Sequence, residues 1–133
     1  MSWDFVNKYQ PDEVDVELPS NFVRDLCVGT AHVSWDSNVT WNYGPMLRKI
    51  AEMSDIEGLY PDNHIKNINN CTNVQAAEVI LKFWTIALQN RSLLEDLEPD
   101  NGWGDYDSLC QLLQDMHIRN THCFSKNFVW YIY

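Results

Sequence analysis

Pro99-Asp100-Asn101-Gly102-Trp103-Gly104-Asp105-Tyr106-Asp107 runs straight into Ser108-Leu109-Cys110-Gln111-Leu112-Leu113-Gln114-Asp115-Met116. Asn-Gly is a strong turn signal, because both residues tolerate positive φ. A second glycine frames Trp103, so one indole sits between two freely hinged positions. Asp105 then stands where a helix N-cap belongs, its carboxylate placed to accept the orphan amides of a first turn. Behind it Tyr106, Leu109, Cys110, Leu113 and Met116 recur at helical spacing, and Leu112 widens the stripe. The stretch therefore reads as a tryptophan-bearing turn that launches an amphipathic helix.

Working back from that helix, Thr72-Asn73-Val74-Gln75 matches a capping box, in which a hydroxyl and a side-chain amide satisfy each other's backbone donors. The helix it opens is expected to reach about Gln89. Val74, Ala76, Ala77, Val79, Ile80, Leu81, Phe83, Trp84, Ile86, Ala87 and Leu88 go nearly all the way round it, the signature of a central helix. Lys82 is expected to be its one strongly exposed mark. Ser92 with Glu95 is expected to cap a short helix through Leu97, stopped by Pro99. Pro45 suits a first helical position. After it Met46, Leu47, Ile50, Ala51 and Met53 line one face, with Arg48, Lys49 and Glu52 outside. Between these helices, Gly58 to Cys71 is rich in Asn and reads as a long loop, which is either functional or hides a short helix.

Trp3, Phe5, Val6 and Tyr9 form an aromatic start, closed by Pro11, to which the sequence assigns no element; strand patterns follow it and recur at the far end of the chain. Over residues 12–18, Val14, Val16 and Leu18 alternate strictly with Glu13, Asp15 and Glu17, the period of a half-buried strand whose other face is a row of carboxylates. Protection of a sheet edge is the plain explanation of that row. Residues 22–28 and 31–35 read as two more strands, followed by a turn at Asp36-Ser37-Asn38. At the far end, a turn near Asn120 is expected, then a strand over 126–133. There Phe128, Trp130 and Ile132 alternate with Val129, Tyr131 and Tyr133, so both faces are apolar. Such a strand is covered on both sides or pairs with another molecule. The order predicts an α+β domain, three to four helices packed on a small, mostly antiparallel sheet.

At 133 residues the chain sustains one domain, 1–133, with a single core. A hydrophobic fraction of 45% and an aromatic fraction of 13% place it among globular rather than disordered chains. The net charge of -10 repels phosphate backbones and attracts basic surfaces, which argues against direct nucleic-acid binding. No run approaches the roughly 20 apolar residues of a membrane span. Cys27, Cys71, Cys110 and Cys123 are widely spaced, and Met1 to Lys8 has neither the basic start nor the apolar run of a signal peptide. The expectation is four reduced thiols in a cytosolic setting. The N-x-S/T triplets at Asn38, Asn70 and Asn90 are then chance matches.

Asn38-Val39-Thr40-Trp41-Asn42-Tyr43-Gly44-Pro45-Met46, taken with the Pro99–Tyr106 turn, resembles a family of small proteins encoded by phages and prophages. In that family an N-x-x-x-M stretch opens the first helix and an NGWG-x-Y turn opens the last. The resemblance covers Asn38 to Met116 and leaves out both the acidic strand and the aromatic C-terminus. It implies a viral or mobile-element accessory protein working in the host cytoplasm, and it supplies no catalytic residues.

The residue types present are compatible on paper with three kinds of chemistry. Trp41, Asn42, Asn101 and Trp103 have the indoles and amides to read a small molecule or nucleotide by stacking and hydrogen bonds, although turn chemistry and helix capping explain the same residues. His117, His122 and Cys123, with Cys110 as a further candidate, follow no common zinc spacing. Cys27 or Cys71 with His32 or His64 lack any local nucleophile signature, so no catalytic residue, cofactor or metal is assigned. The remaining idea is electrostatic. Between Arg91 and Arg119 lie Glu95, Asp96, Glu98, Asp100, Asp105, Asp107 and Asp115, with no Lys or Arg among them. With Glu13, Asp15 and Glu17 they would form an acidic surface aimed at a basic host protein, such as a nucleic-acid-binding or defence factor. The alternative is the small-molecule pocket around Trp41 and Trp103. A self-assembling role through 126–133 is the third possibility.

Overall fold

The structure, a computed structural model, describes residues 2–10 and 34–133. The strand expected over 12–18 with Glu13, Asp15 and Glu17, the strand over 22–28, and Cys27 and His32 lie outside the described residues.

Among the described residues, strand β1 (Ser2–Tyr9) is the centre of a three-stranded antiparallel sheet, with β2 (Ser34–Thr40) on one side and β3 (Phe128–Ile132) on the other. Phe5 lies opposite Ser37 on β2 and Ile132 on β3. The aromatic start that sequence left without a structure is thus the middle strand. Its alternation explains why: Trp3, Phe5 and Asn7 are buried, while Ser2 and Asp4 face out. The fold class is α+β, as expected.

Helices cover one face of this sheet. Helix α1 (Gly44–Ser54) follows a 3-10 turn at Trp41–Tyr43; a longer 3-10 segment occupies Pro61–Ile68. Helix α2 (Asn73–Gln89), short α3 (Arg91–Glu95) and α4 (Tyr106–His122) complete the layer. Met46, Leu47, Ile50, Ile80, Phe83, Leu109, Leu113 and Met116 are buried against Phe5 and Trp130 in one core. Burying apolar surface of this kind contributes roughly 25 cal/mol per Å² and is what holds the layers together.

Several local expectations are corrected. Asp36-Ser37-Asn38 is no turn but the middle of β2, opposite Val6, Phe5 and Asp4. Turn-prone residues are held extended there because Asn38 Nδ2 donates to Ser2 Oγ and Asp4 Oδ1, both at 2.9 Å. The Gly58 to Cys71 loop contains the Pro61–Ile68 segment, which buries Ile65 and Ile68. Helix α2 is one-sided rather than central, since Val74, Leu81 and Leu88 are exposed. Met53 of α1 is exposed too, and Ser54 is buried in its stead, donating to the Ala51 carbonyl at 2.7 Å. The N-cap of α3 is Asn90 rather than Ser92.

The expected turn near Asn120 is also absent, because α4 runs on to His122. Asn120 is buried and its side-chain carbonyl accepts from Trp130 Nε1 at 2.8 Å. Its neighbour Arg119 is buried as well and donates from Nε to Asn7 Oδ1 at 2.8 Å. Asn7 and Asn73 exchange side-chain hydrogen bonds, joining β1 to the start of α2. A polar sequence that looks like a break is therefore part of a buried network, in which Asn7, Asn73, Arg119 and the Asn120 side-chain carbonyl are bonded inside the fold while Asn120 Nδ2 is buried without a hydrogen-bond partner.

The doubly apolar β3 is explained within the chain. Phe128, Trp130 and Ile132 enter the core. Its outer edge is closed by the segment before α2: Asn70 N donates to Trp130 O and Trp130 N to Cys71 O, both at 2.8 Å. On the opposite face Tyr131 stacks on Tyr133 with ring centroids 6.2 Å apart, and Lys8 lies over the Tyr131 ring.

Candidate functional site

The Asn101–Asp105 turn is built as its residues demand. Asn101 Oδ1 accepts from Trp103 N at 3.0 Å, and from Asn42 Nδ2 at 3.5 Å, so one side chain shapes the turn and ties it to the start of α1. Gly102 and Gly104 take φ of 78° and 81°, left-handed values that other residues adopt only with strain. At Gly104 space is also short: a Cβ there would stand 3.0 Å from Asn42 Cβ and 3.1 Å from Thr40 Cγ2. The turn closes onto the end of β2 only because that position carries no side chain. The result pushes Trp103 outward, where it is 70% exposed.

Asp105 caps α4, accepting from Ser108 N at 3.2 Å and from Ser108 Oγ. That side-chain hydrogen bond holds its carboxyl below the usual carboxylate range, keeping it charged. The phenol of Tyr43 is pushed up chiefly by burial, with the Ser108 hydroxyl pulling the other way. Tyr106, directly after the cap, is anchored by its hydroxyl, which donates to the Ala87 carbonyl at 2.5 Å; burial pushes its phenol up to about 12.

Between this turn, the first turns of α4 and the strand ends of β1 and β2 lies an open hollow of about 690 Å³. Ser2, Asn38 and Thr40 form one wall, and Trp103, Asp105 and Asp115 the other. Asp115 Oδ1 accepts from Gln111 Nε2 at 2.9 Å, one helical turn earlier on the same wall. Among the described residues no Lys, Arg or His lines it. Ser37 and Asn38 also border a second hollow of about 480 Å³ on the outer face of the sheet, which holds Asp4, Asp36 and Tyr133. Two adjoining depressions thus carry four carboxylates and, at their margins, two exposed aromatic rings.

The residues singled out in the sequence divide accordingly. Trp103 and Asp105 line the first hollow, and Asn42 meets Asn101 beside it. Trp41 does not join Trp103 there: it packs on Trp3 with centroids 6.1 Å apart. Of the acidic run, Glu95 and Asp107 both bond Arg91, and Glu98 Oε1 accepts from Tyr106 N at 2.8 Å. These three brace the α3–α4 connection, while Asp96 and Asp100 lie exposed alongside. Sequence reasoning missed Ser2, Asp4, Asp36, Asn38 and Tyr133 as site neighbours. The strand pairing that gathers them joins residues more than thirty positions apart, and only the alternation of Trp3 and Phe5 hinted at it.

The other candidates do not assemble. Cys71 Sγ donates to the Asn67 carbonyl at 3.6 Å, and burial pushes its thiol up. His64 is buried edge-on to Trp3, 5.3 Å between centroids, with Nδ1 accepting from Ile65 N. His117 packs against Trp84, and among the described residues no group of His, Cys, Asp and Glu is placed to hold a metal ion. Cys71 and Cys110 are free thiols. Among the described residues no helix is long and apolar enough to cross a membrane. In comparisons with known proteins the chain matches no family model, no curated protein and no solved structure.

Proposed function

We propose that the protein acts by binding, as an accessory protein of the phage type, and that it inhibits a host protein by covering a basic surface of it. The observation that carries this reading is the cation-free hollow beneath Trp103, which adjoins across Ser37 and Asn38 a second hollow bearing Asp4 and Asp36. Carboxylates gathered in hollows lined, among the described residues, by no Lys or Arg attract a basic surface and speed its approach, and exposed aromatic rings supply the contact area that gives affinity. The resemblance of Asn38–Met116 to phage-encoded proteins supplies the setting, and a defence or nucleic-acid-binding factor is the partner class with the right charge.

The test is recovery from a bacterial lysate on the immobilised full chain. The reading predicts a basic protein that elutes as salt is raised and loses its own activity when the complex is re-formed. A second reading, a small-molecule or nucleotide pocket, keeps only the Trp103 half of its two-tryptophan frame, since Trp41 faces Trp3. A rise in melting temperature with nucleotides or sugars, without capture of any protein, would favour it and reject the first.

A further inference from the structure

Resting on that reading, we propose that the hollow beside Trp103 receives an arginine side chain of the basic partner, and that the adjoining hollow receives a second cationic side chain from the same segment. The chemistry of the first hollow selects the occupant. A guanidinium is planar, carries five donors and stacks on aromatic faces, whereas an ammonium is a compact, strongly hydrated charge. Trp103 offers a ring exposed over most of its surface at the rim. Asp105 and Asp115 offer carboxylates opposite the hydroxyls of Ser2 and Thr40. Ser108 and Gln111 already donate to one oxygen of each carboxylate. The carboxylates are therefore held in place by their own helix before any ligand arrives, which lowers the ordering cost of binding.

The second hollow argues for a segment rather than a single ion. It shares Ser37 and Asn38 with the first and adds Asp4, Asp36 and the exposed ring of Tyr133. Asn38 bridges Ser2 and Asp4 through its side-chain amide, so the partition between the hollows is itself fixed. A bound guanidinium in each would pair carboxylate, aromatic face and hydroxyl on both sides of one strand. A phosphate-bearing ligand meets four like charges there and is repelled. A neutral sugar gains the rings and hydroxyls but leaves the carboxylates without a counter-charge.

The experiment titrates the full chain with fluorescent peptides of equal length, one arginine-rich, one lysine-rich and one glutamate-rich, at low and at moderate salt. The expected result is saturable binding of the arginine peptide, about tenfold or more tighter than the lysine peptide, and none of the glutamate peptide. Trp103→Ala and Asp115→Asn should each weaken the arginine peptide about tenfold, while Trp41→Ala, an exposed indole outside the hollow, leaves it unchanged. Both replaced side chains lie at the surface, and unchanged far-ultraviolet circular dichroism confirms folding. Equal affinity for arginine and lysine peptides, or indifference to Trp103→Ala, would reduce the effect to diffuse charge attraction and overturn the assignment. So would tighter binding of a sugar or nucleotide that Trp103→Ala abolishes. The two proposals fail separately. A captured host protein insensitive to Trp103→Ala leaves the binding function and removes the hollow. Arginine-peptide binding with no captured basic protein does the reverse.

Discussion

Replacing Gly104 by alanine should loosen the turn from the rest of the fold, and replacing Gly102 should do so much less. Both residues have left-handed φ, 81° and 78°, so an alanine at either carries about 1–2 kcal/mol of backbone strain. They differ in what a new methyl would meet. At Gly102 nothing lies within 4 Å, whereas at Gly104 the methyl falls 3.0 Å from Asn42 Cβ and 3.1 Å from Thr40 Cγ2. Neither neighbour is the far end of a flexible chain: one is a Cβ, the other a branched methyl. The 40–42 backbone must move, which adds about 1–3 kcal/mol by analogy with overpacked cores. Gly104→Ala is therefore expected to cost about 2–5 kcal/mol and Gly102→Ala about 1–2 kcal/mol. With an m-value on the order of 2 kcal/mol per molar urea, the midpoint should fall by roughly 1–2.5 M and by about 0.5–1 M respectively. Equilibrium urea unfolding followed by tryptophan fluorescence reads both. Equal losses from the two variants would refute the claim that close approach to β2, rather than φ alone, demands glycine at 104.

Two further outcomes follow from the same geometry. His64 is held neutral by burial and by the nearby Lys66 charge, its pKa lowered from 6.5 to about 4. The unfolded chain therefore takes up a proton first on acidification, so this residue's contribution is full above pH 6.5, falls as pH drops to about 4 and is flat below. The shift sets a ceiling of about 3 kcal/mol, and residual solvent access brings the expected loss to about 2 kcal/mol. Melting temperature against pH for wild type and His64→Asn should diverge in that window; parallel curves would contradict it. Asp105→Ala removes the α4 cap and should cost about 1 kcal/mol by thermal or urea unfolding, with Asp105→Asn recovering most of it.

The parts of the fold that are local were legible in the sequence. The Thr72 capping box forms as expected, with Thr72 Oγ1 accepting from Gln75 N and Gln75 Oε1 accepting from Thr72 N. Asp105 caps α4, and Pro45 opens α1. What was hidden depends on pairing across long stretches of chain. The middle strand Ser2–Tyr9 looked structureless because a strand's partners are not adjacent in sequence, and Asp36-Ser37-Asn38 looked like a turn because its extended form is held by residues of that same strand. Arg119 and Asn120 misled for a related reason: polar residues mark a break only when nothing buried needs them, and here Asn7 and Trp130 do. The site was half visible. Trp103 and Asp105 announce themselves by turn and cap chemistry, while Asp4, Asp36 and Ser2 come to the same surface only through sheet register.

The most direct measurement for the binding account is a two-dimensional 15N spectrum of the full chain, recorded while the arginine-rich peptide is added. The indole N–H of Trp103 and the amides of Asn38, Thr40 and Asp115 should shift together along one saturation curve. The Trp130 indole, buried and bonded to Asn120, should stay in place. Shifts confined to the exposed row of Val74, Leu81 and Leu88 on α2, or spread evenly over every surface carboxylate, would contradict it.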